Sequence, residues 1–270
     1  NKVIVLDVVW NEGVPKNSPP SSVSCFFEVI NQEFKPKHGV SKHLLQNHHF
    51  EADVDVQANV ERWLKPVVEL QEATILKVRD GSISSIDCRL HESTMATLIC
   101  TALRRITQVD IALVNGGGIR ANKEYGTHIS FADLSAECPF PSPQLVISVD
   151  GKTLAEAVKY SRRKWILNPP EEDGGAFHVD AKCACDPHTG ELLMIRGKPL
   201  EPQKMYECLI DAYMLSYNKV FAKFKKENED LIPPPESGLP MLPLLLEQFS
   251  FQAWRNVLLP SNLIPIETGE

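Results

Sequence analysis

The sequence predicts a mixed α/β fold in which layered mixed sheets are flanked by helices. Short apolar runs rich in β-branched residues alternate with amphipathic helical segments, which is typical of such layers. Capping residues and turns rich in proline or glycine separate these segments. The chain has 270 residues, of which 43% are hydrophobic and 23% are charged. This length and composition predict a globular protein with a substantial core.

Two strands are predicted near the start of the chain. Val3–Trp10 is a continuous apolar run that indicates a buried strand without a partner nearby in the sequence, and Phe26–Ile30 indicates a second, short strand. Residues 11–24 are rich in proline and serine and predict a loop. The first strand would complete a sheet begun upstream. We therefore expect residues 1–52 to be the tail of a preceding domain, in a chain that is a piece of a longer protein.

A linker helix and a larger domain follow. Apolar residues recur with helical spacing over residues 53–70 and predict a helix that ends near Pro66, so residues 53–72 are assigned as the linker between domains. Residues 73–228 are assigned to the larger domain. It opens with two predicted strands, Thr74–Val78 and Ile83–Ile86.

Three helices of the larger domain have predicted N-terminal caps, because hydroxyl and carboxylate side chains bind the free N–H groups of a first turn. The first helix has one apolar stripe, and its last turn is basic. The third helix is predicted over residues 153–164, after a strand that ends near Val149. The caps and their partners are Ser93, Ser130 with Asp133, and Thr153 with Glu156.

The remaining elements are strands followed by helices. Residues 168–175 are predicted to be a polar loop, and the turn at residues 186–190 has good hairpin chemistry. Residues 229–270 are assigned as a proline-rich connection and a helical C-terminal extension. The predicted strands and helices are His178–Cys185, Glu191–Arg196, Tyr206–Asp211, an exposed helix Lys219–Lys226, and an amphipathic segment Leu242–Leu258.

The pair Cys183 and Cys185 admits two interpretations. The cysteines could form a metal or redox pair, although metal motifs usually have two spacer residues and further ligands. Alternation from Phe177 through Val179 and Ala181 to the two cysteines favours one buried face of a strand instead.

A glycine-rich run follows an apolar strand and is the main candidate for function. Asp110–Val114 predicts the strand, and Asn115–Arg120 reads Asn-Gly-Gly-Gly-Ile-Arg. Glycines let the main chain approach a ligand and turn successive N–H groups toward an anion. The Asn115 amide and the Arg120 guanidinium at its ends suit a polar, negatively charged ligand. The alternative is a tight turn without a ligand.

With its flanks, this run resembles the C-terminal domain of the 5′-nucleotidase family. The resemblance covers about half of the chain, roughly residues 75–220, and its motifs are specific as a set rather than singly. The segments that carry it are Arg89–Met95, Asp110–Ala121, residues 126–140 ending in Cys-Pro-Phe, Val146–Leu154, and Arg196–Leu200 through to Tyr206.

The resemblance implies a substrate-binding site in this chain, with catalysis performed elsewhere. The arginines would bind the phosphate or another acidic part of the ligand. Phe140 and Tyr213 would stack on its base, and the other site residues would approach it through polar and backbone groups. No catalytic residue and no metal ligand is assigned here. The implied substrate-binding residues are Arg89, Asn115, Gly117, Gly118, Arg120, Phe140 and Tyr213.

One loop departs from the family pattern. Members of the family follow the late strand with an aromatic residue and a Gly-Gly-Asp-Gly turn, whose aspartate binds ribose hydroxyls. Residues 211–220 here read Asp-Ala-Tyr-Met-Leu-Ser-Tyr-Asn-Lys-Val. The aspartate position is therefore predicted to hold Lys219, which places a cation where the diol acceptor would be.

The metal motifs that the resemblance implies for the catalytic domain are missing. The chain contains no Gly-Asp dipeptide and no His-x-His motif, so a pair of divalent ions, zinc or manganese, is expected in an upstream metallophosphatase domain. His43, His48 and His49 are the densest histidine cluster. They could hold zinc, or they could belong to a polar connection that leads into the linker helix.

The net charge and the hydropathy of the chain limit the kinds of partner that it is expected to bind. A net charge of −7 argues against a nucleic-acid surface, and no apolar run is long enough to span a membrane. The seven cysteines do not indicate in which cellular compartment the protein is found. We expect the recognition part of a phosphoester hydrolase of nucleotide catabolism, which binds a nucleotide or a related phosphate ester. The alternatives are a binding module without hydrolase activity and an acidic structural protein whose glycine run is only a turn.

Overall fold

The computed structural model describes residues 2–9, 22–29, 54–78 and 81–258. Residues 1–63 and 64–270 form two compact units. In the first unit, strand β1 (Lys2–Val9) pairs antiparallel with strand β2 (Ser22–Val29) along its whole length. The prediction that the first strand has no partner nearby in the sequence was therefore wrong. The sequence contains no tight-turn signal that would have indicated this pairing. Residues 22–24 are strand rather than loop, and the cluster of His43, His48 and His49 lies outside the described residues.

Helix α1 (Val54–Glu72) continues through Pro66 instead of ending there, so the predicted end was wrong. A proline removes one backbone donor from the helix and frees one carbonyl. None of the residues of α1 is buried, and water can therefore hydrogen-bond to the freed group.

The larger unit contains the remaining strands and helices. The strands are β3 (Thr74–Lys77), β4 (Ile83–Ser84), β5 (Ile111–Asn115), β6 (Glu124–Tyr125), β7 (His128–Ser130), β8 (Pro143–Asp150), β9 (Phe177–His178), β10 (Ala184–Cys185), β11 (Leu192–Ile195), β12 (Lys198–Pro199), β13 (Met205–Asp211) and β14 (Leu239–Pro240). The helices are α2 (Thr94–Thr107), α3 (Phe131–Glu137), α4 (Gly151–Ser161), α5 (Met214–Tyr217), α6 (Lys219–Glu227) and α7 (Met241–Leu258).

A mixed five-stranded sheet in the order β14-β8-β13-β5-β9 forms the centre of this unit. β13 pairs parallel with β5 and antiparallel with β8. Side chains alternate along β5, so Ala112 and Val114 pack with α2 and α7, whereas Ile111 and Leu113 pack with α4 and α6. The sheet is thus covered by helices on both faces, which confirms the predicted fold class.

Two of the predicted helix caps are confirmed and the third is corrected. The Ser93 hydroxyl accepts a hydrogen bond from the Ala96 N–H at the start of α2, and Ser130 forms a capping box with Asp133. Helix α4 begins at residue 151 because the Asp150 carboxylate accepts from the N–H of Thr153. Aspartate at the end of β8 is at least as good an N-cap as the predicted threonine.

The strand predicted over residues 178–185 is interrupted. β9 ends at His178, and Ala181 is exposed. Buried Asp180 causes the break, because its carboxylate accepts from the N–H of Lys182 and pairs at 3.0 Å with the guanidinium of Arg104. The chain turns there and resumes as β10, which forms the predicted hairpin with β11.

The last helices agree with their sequence patterns. α6 buries Phe221 and Phe224, exposes three of its four lysines and half-buries Lys225, so it is amphipathic rather than exposed on all sides. α7 begins one residue before its predicted start. Among the helices that the structure describes, none combines the length and apolar character required to cross a bilayer.

Candidate functional site

The glycine run forms a tight turn directly after β5. Gly116–Gly118 adopt one 3₁₀ turn. A Cβ on Gly116 would lie 2.6 Å from the carbonyl oxygen of Cys88, and a Cβ on Gly117 would lie 2.9 Å from that of Gly174. Both distances are too short for any side chain, so close backbone packing requires glycine at these two positions.

Residues 173–176 bind this turn from the other side. The Gly117 N–H and the Asn115 Nδ2 both donate to the Gly174 carbonyl, at 2.7 Å and 2.8 Å. The Gly116 N–H donates to the Ala176 carbonyl at 2.9 Å. We call Asn115–Gly118 together with residues 173–176 the glycine wall. Sequence reasoning treated residues 168–175 as a polar loop and missed this contact, although the adjacent pair Gly174 and Gly175 was a signal.

The glycine wall borders a cavity of about 680 Å³, which we call the aromatic cavity. It brings together five of the seven predicted binding residues. The lining residues are Asn115, Gly117, Gly118, Phe140, Pro141, Ser142, Gly174, Gly175, Asp211, Tyr213, Met214 and Tyr217.

Residues 211–217 line the same cavity with side chains rather than with closely packed backbone. We call this segment the aromatic wall. Tyr213 and Tyr217 stack with their ring centroids 5.6 Å apart at an angle of 24°. Helix α5 places them one turn apart. Tyr213, Tyr217 and Phe140 expose 62%, 52% and 50% of their surface, so their rings are open to a ligand. Tyr217 was not predicted, although its i,i+4 spacing from Tyr213 was visible in the sequence.

Arg89 and Arg120 line a second cavity of about 290 Å³, together with the acidic residues Asp87 and Glu172, and we call it the arginine cavity. The Arg120 guanidinium also lies over the Phe140 ring, 5.7 Å from its centroid. Phe140 lines the aromatic cavity. Arg120 therefore contacts the lining of one cavity while it lines the other.

Buried Glu137 holds the segment that carries Arg120. Its carboxylate accepts from the Ser85 hydroxyl at 2.6 Å, from the Tyr125 hydroxyl at 2.9 Å and from the Ala121 N–H at 3.2 Å. Its backbone carbonyl accepts from the Arg120 N–H at 3.1 Å. Burial, together with the negative charge of Glu137, raises the pKa of the Tyr125 hydroxyl, which therefore remains a donor to the carboxylate.

Asp211 is the one charged residue in the lining of the aromatic cavity among the residues that the structure describes. Its carboxylate already accepts from the Ser142 hydroxyl at 2.9 Å, from the Gln144 amide at 3.2 Å and from the Tyr213 N–H at 2.7 Å. These bonds fix the aromatic wall to β8 and occupy most of the acceptor capacity of the carboxylate.

Lys219 does not take the place in the site that the sequence predicted for it. Lys219 begins α6, is exposed, and is not among the residues that line either cavity. The cause is Asn218, which is buried and caps α6 through Oδ1 while its Nδ2 donates to the Ala157 carbonyl. Tyr217 is therefore the last residue of this segment that lines the aromatic cavity.

No group of three or more His, Cys, Asp and Glu residues that could hold a metal ion occurs in the described ranges. The Cys183 Sγ lies 3.2 Å from an Asp180 carboxylate oxygen. Burial raises the pKa of the Cys185 thiol to about 11. Both thiols are therefore protonated at neutral pH, because burial raises the pKa of Cys183 as well.

Comparison with known sequences gives a consistent family match. Residues 67–226 match the family described as 5′-nucleotidase, C-terminal domain. The chain is 26% identical to the 5′-nucleotidase of Rattus norvegicus over 210 residues, which cover 68% of this chain and 36% of that protein. It is 31% identical to protein UshA of Escherichia coli over 120 residues, which cover 44% of this chain and 20% of that protein.

Solved structures show the same fold. A 5′-nucleotidase precursor from Thermus thermophilus aligns with a TM-score of 0.55 at 16% identity, over 92% of this chain and 46% of the other. The NAD nucleotidase of Haemophilus influenzae aligns with a TM-score of 0.53 at 13% identity, over 86% of this chain and 48% of the other. The chain spans less than half the length of each of these relatives.

Proposed function

The chain belongs to the 5′-nucleotidase C-terminal domain family, and from that premise we propose that it is the substrate-recognition part of a 5′-nucleotidase-like phosphoester hydrolase. Its ligand is a nucleotide or a related phosphate ester. The observation that carries the proposal is the position of Arg120, which lines the arginine cavity and lies over the Phe140 ring of the aromatic cavity. A ligand with an anionic group joined to a flat ring fits such a pair of cavities.

In this proposal the residues of the chain bind and orient the substrate. The planar guanidinium groups of Arg89 and Arg120 bind phosphate oxygens, for which their geometry is suited. Phe140 and Tyr213 stack on the base, and each such contact contributes about 1–3 kcal/mol. Asn115, through its Oδ1, and the backbone of Gly118 supply polar contacts along the glycine wall. The Asn115 Nδ2 and the Gly117 N–H already donate to the Gly174 carbonyl, so Gly117 contributes close backbone approach instead of a donor. Correct orientation of a substrate is itself a large part of catalysis.

Hydrolysis belongs to an upstream metallophosphatase domain in this proposal. A pair of divalent ions, zinc or manganese, held by that domain would supply an activated water for attack on phosphorus. The proposal assigns no metal ligand to the described residues.

Calorimetry with adenosine 5′-monophosphate (AMP) and adenosine tests the proposal on the full chain. Arg120→Ala is expected to weaken AMP binding at least about tenfold, with little effect on adenosine, because a charged hydrogen-bond partner of the phosphate is lost. Phe140→Ala is expected to weaken the binding of both ligands. Arg105→Ala and Phe251→Ala, two exposed positions outside both cavities, are the matched controls.

Phosphate release is followed in the same samples after manganese or zinc is added. Binding without release is the expected result. Failure of the unchanged chain to bind AMP would overturn the proposal, and so would equal loss of binding in the control variants. Release of phosphate would show that the chain itself holds a catalytic centre.

A further inference from the structure

The turn that carries Arg89 is held through its own backbone carbonyls. The Arg89 carbonyl accepts two hydrogen bonds, from the indole Nε1–H of Trp165 at 2.6 Å and from the N–H of Asp173 at 2.8 Å. The neighbouring Cys88 carbonyl is 2.8 Å from Nε2 of His178. Three donors from a segment more than 70 residues away in sequence therefore fix this turn.

Trp165 is itself held firmly by its neighbours. Its ring meets the His178 ring edge to face, with the centroids 5.1 Å apart. The Arg162 guanidinium lies 5.3 Å from the Trp165 centroid. Arg162 is buried, donates from Nε to the Phe177 carbonyl at 2.9 Å, and pairs with Glu92. An indole packed in this way presents its N–H in one fixed direction.

His178 supports the same arrangement in one protonation state. Burial lowers the pKa of His178 to about 3, so the ring is neutral at neutral pH. Because Nε2 faces a carbonyl oxygen, Nε2 carries the proton and donates a hydrogen bond to the Cys88 carbonyl oxygen. The support that His178 gives to the Arg89 turn therefore stays constant through the physiological range.

We infer that Trp165 is a positioning residue for Arg89: its indole N–H fixes the Arg89 carbonyl, and this holds the guanidinium in the arginine cavity. The inference rests on the proposed function, in which Arg89 binds the phosphate. The Asp173 N–H links the same carbonyl to the glycine wall. Trp165 thus sets the position of Arg89 relative to the aromatic cavity without lining either cavity.

Trp165→Phe tests the inference, because it removes the indole N–H and keeps an aromatic ring beside Arg162 and His178. The Arg89 carbonyl retains its bond from Asp173, so the chain is expected to remain folded. We expect AMP to bind about 3- to 10-fold more weakly, which corresponds to the loss of one hydrogen bond. Adenosine binding is expected to change less than about twofold, a split that a general loss of structure would not produce.

Two further variants complete the test. Trp254→Phe, at a position on α7 that is 65% exposed, is the matched control and is expected to leave both affinities unchanged. Arg89→Ala is expected to weaken AMP binding more than Trp165→Phe does. Adding Trp165→Phe to Arg89→Ala is expected to cause no further loss, because the positioned group is already absent.

The outcomes separate the inference from the proposed function. If Arg89→Ala leaves AMP binding unchanged, the phosphate-binding role of Arg89 is overturned and the inference with it. If Arg89→Ala weakens AMP binding and Trp165→Phe does not, the inference alone is overturned. Equal losses for AMP and adenosine in Trp165→Phe, accompanied by a lower melting temperature, would assign Trp165 a structural role only and would also overturn the inference.

Discussion

The glycine wall and the aromatic wall border the same cavity but are stabilised in different ways. The glycine wall is buried or half-buried backbone, joined by three hydrogen bonds between distant segments and packed too closely to accept a side chain at Gly116 or Gly117. The aromatic wall is held by the hydrogen-bonded Asp211 carboxylate and by the buried side chains of Met214 and Leu215, but its two tyrosine rings are exposed. The glycine wall is therefore determined by the fold, whereas the exposed tyrosine rings of the aromatic wall can change without loss of the fold.

This contrast indicates where the specificity of the cavity lies. The glycine wall includes the sequence motif through which the chain resembles its family. The aromatic wall includes the loop in which the chain departs from that pattern. A fixed wall beside a changeable one allows a common scaffold to accept different ligands, because substitutions in an exposed turn have small effects on stability.

Gly116→Ala is expected to cause the largest effect and tests the fixed wall. Its Cβ would lie 2.6 Å from the Cys88 carbonyl oxygen and 3.4 Å from the Arg89 Cα, so backbone must shift. We expect the free energy of unfolding to fall by about 3 kcal/mol, measured by denaturant titration.

Gly126→Ala is the matched control for this prediction. Gly126 is exposed, and a Cβ built on it meets no atom within 4 Å. We expect its free energy of unfolding to change by less than about 0.5 kcal/mol. Similar values for the two alanine variants would contradict the view that close backbone packing determines the glycine wall.

Tyr217→Ala is expected to have a smaller effect, which appears in binding rather than in stability. Tyr217 is half exposed and stacks on Tyr213, so its loss removes part of the aromatic surface offered to a base. We expect adenosine and AMP to bind about 3- to 10-fold more weakly, while the melting temperature changes little. Calorimetry and a thermal scan measure the two quantities.

The opposite result for Tyr217→Ala would also be informative. The Tyr217 ring lies 2.6 Å from the position of a Cβ on Gly175, so it also narrows the cavity beside the glycine wall. Tighter binding after its removal would mean that Tyr217 excludes ligands and does not hold them. Phe251→Ala, which removes an exposed ring on α7, controls for the general loss of an aromatic side chain.

Local patterns in the sequence predicted the parts of the molecule that depend on local interactions. The caps at Ser93 and Ser130 and the turn after β5 were predicted, because each depends on residues within a few positions. The hydrogen bonds that join Trp165 to Arg89, and residues 173–176 to Arg89 and the glycine run, were not predicted, because they connect segments 57 to 84 residues apart in sequence. Only the folded chain shows which carbonyl a distant indole reaches.

Lys219 is the position where the sequence and the structure give different expectations. Alignment with the family pattern places Lys219 where an aspartate binds ribose, whereas the structure places it on the exposed first turn of α6, outside both cavities. Lys219→Asp would introduce the aspartate that the resemblance to the family predicts at this position. An aspartate in the first turn of a helix is also favourable for the helix dipole, so the variant is expected to fold normally.

We expect Lys219→Asp to change the affinities for AMP and for 2′-deoxy-AMP by less than about twofold, and to leave their ratio unchanged, which is the smallest effect predicted here. Calorimetry with the two ligands measures the ratio, and Lys223→Asp, on the exposed face of the same helix, controls for the change in net charge. A ratio that shifts in favour of the ribonucleotide only in Lys219→Asp would mean that residue 219 reaches the sugar. The segment from the aromatic wall to residue 219 would then follow the same backbone path as the family's loop, despite its different sequence. The distinction between a fixed and a changeable wall would not hold for this segment.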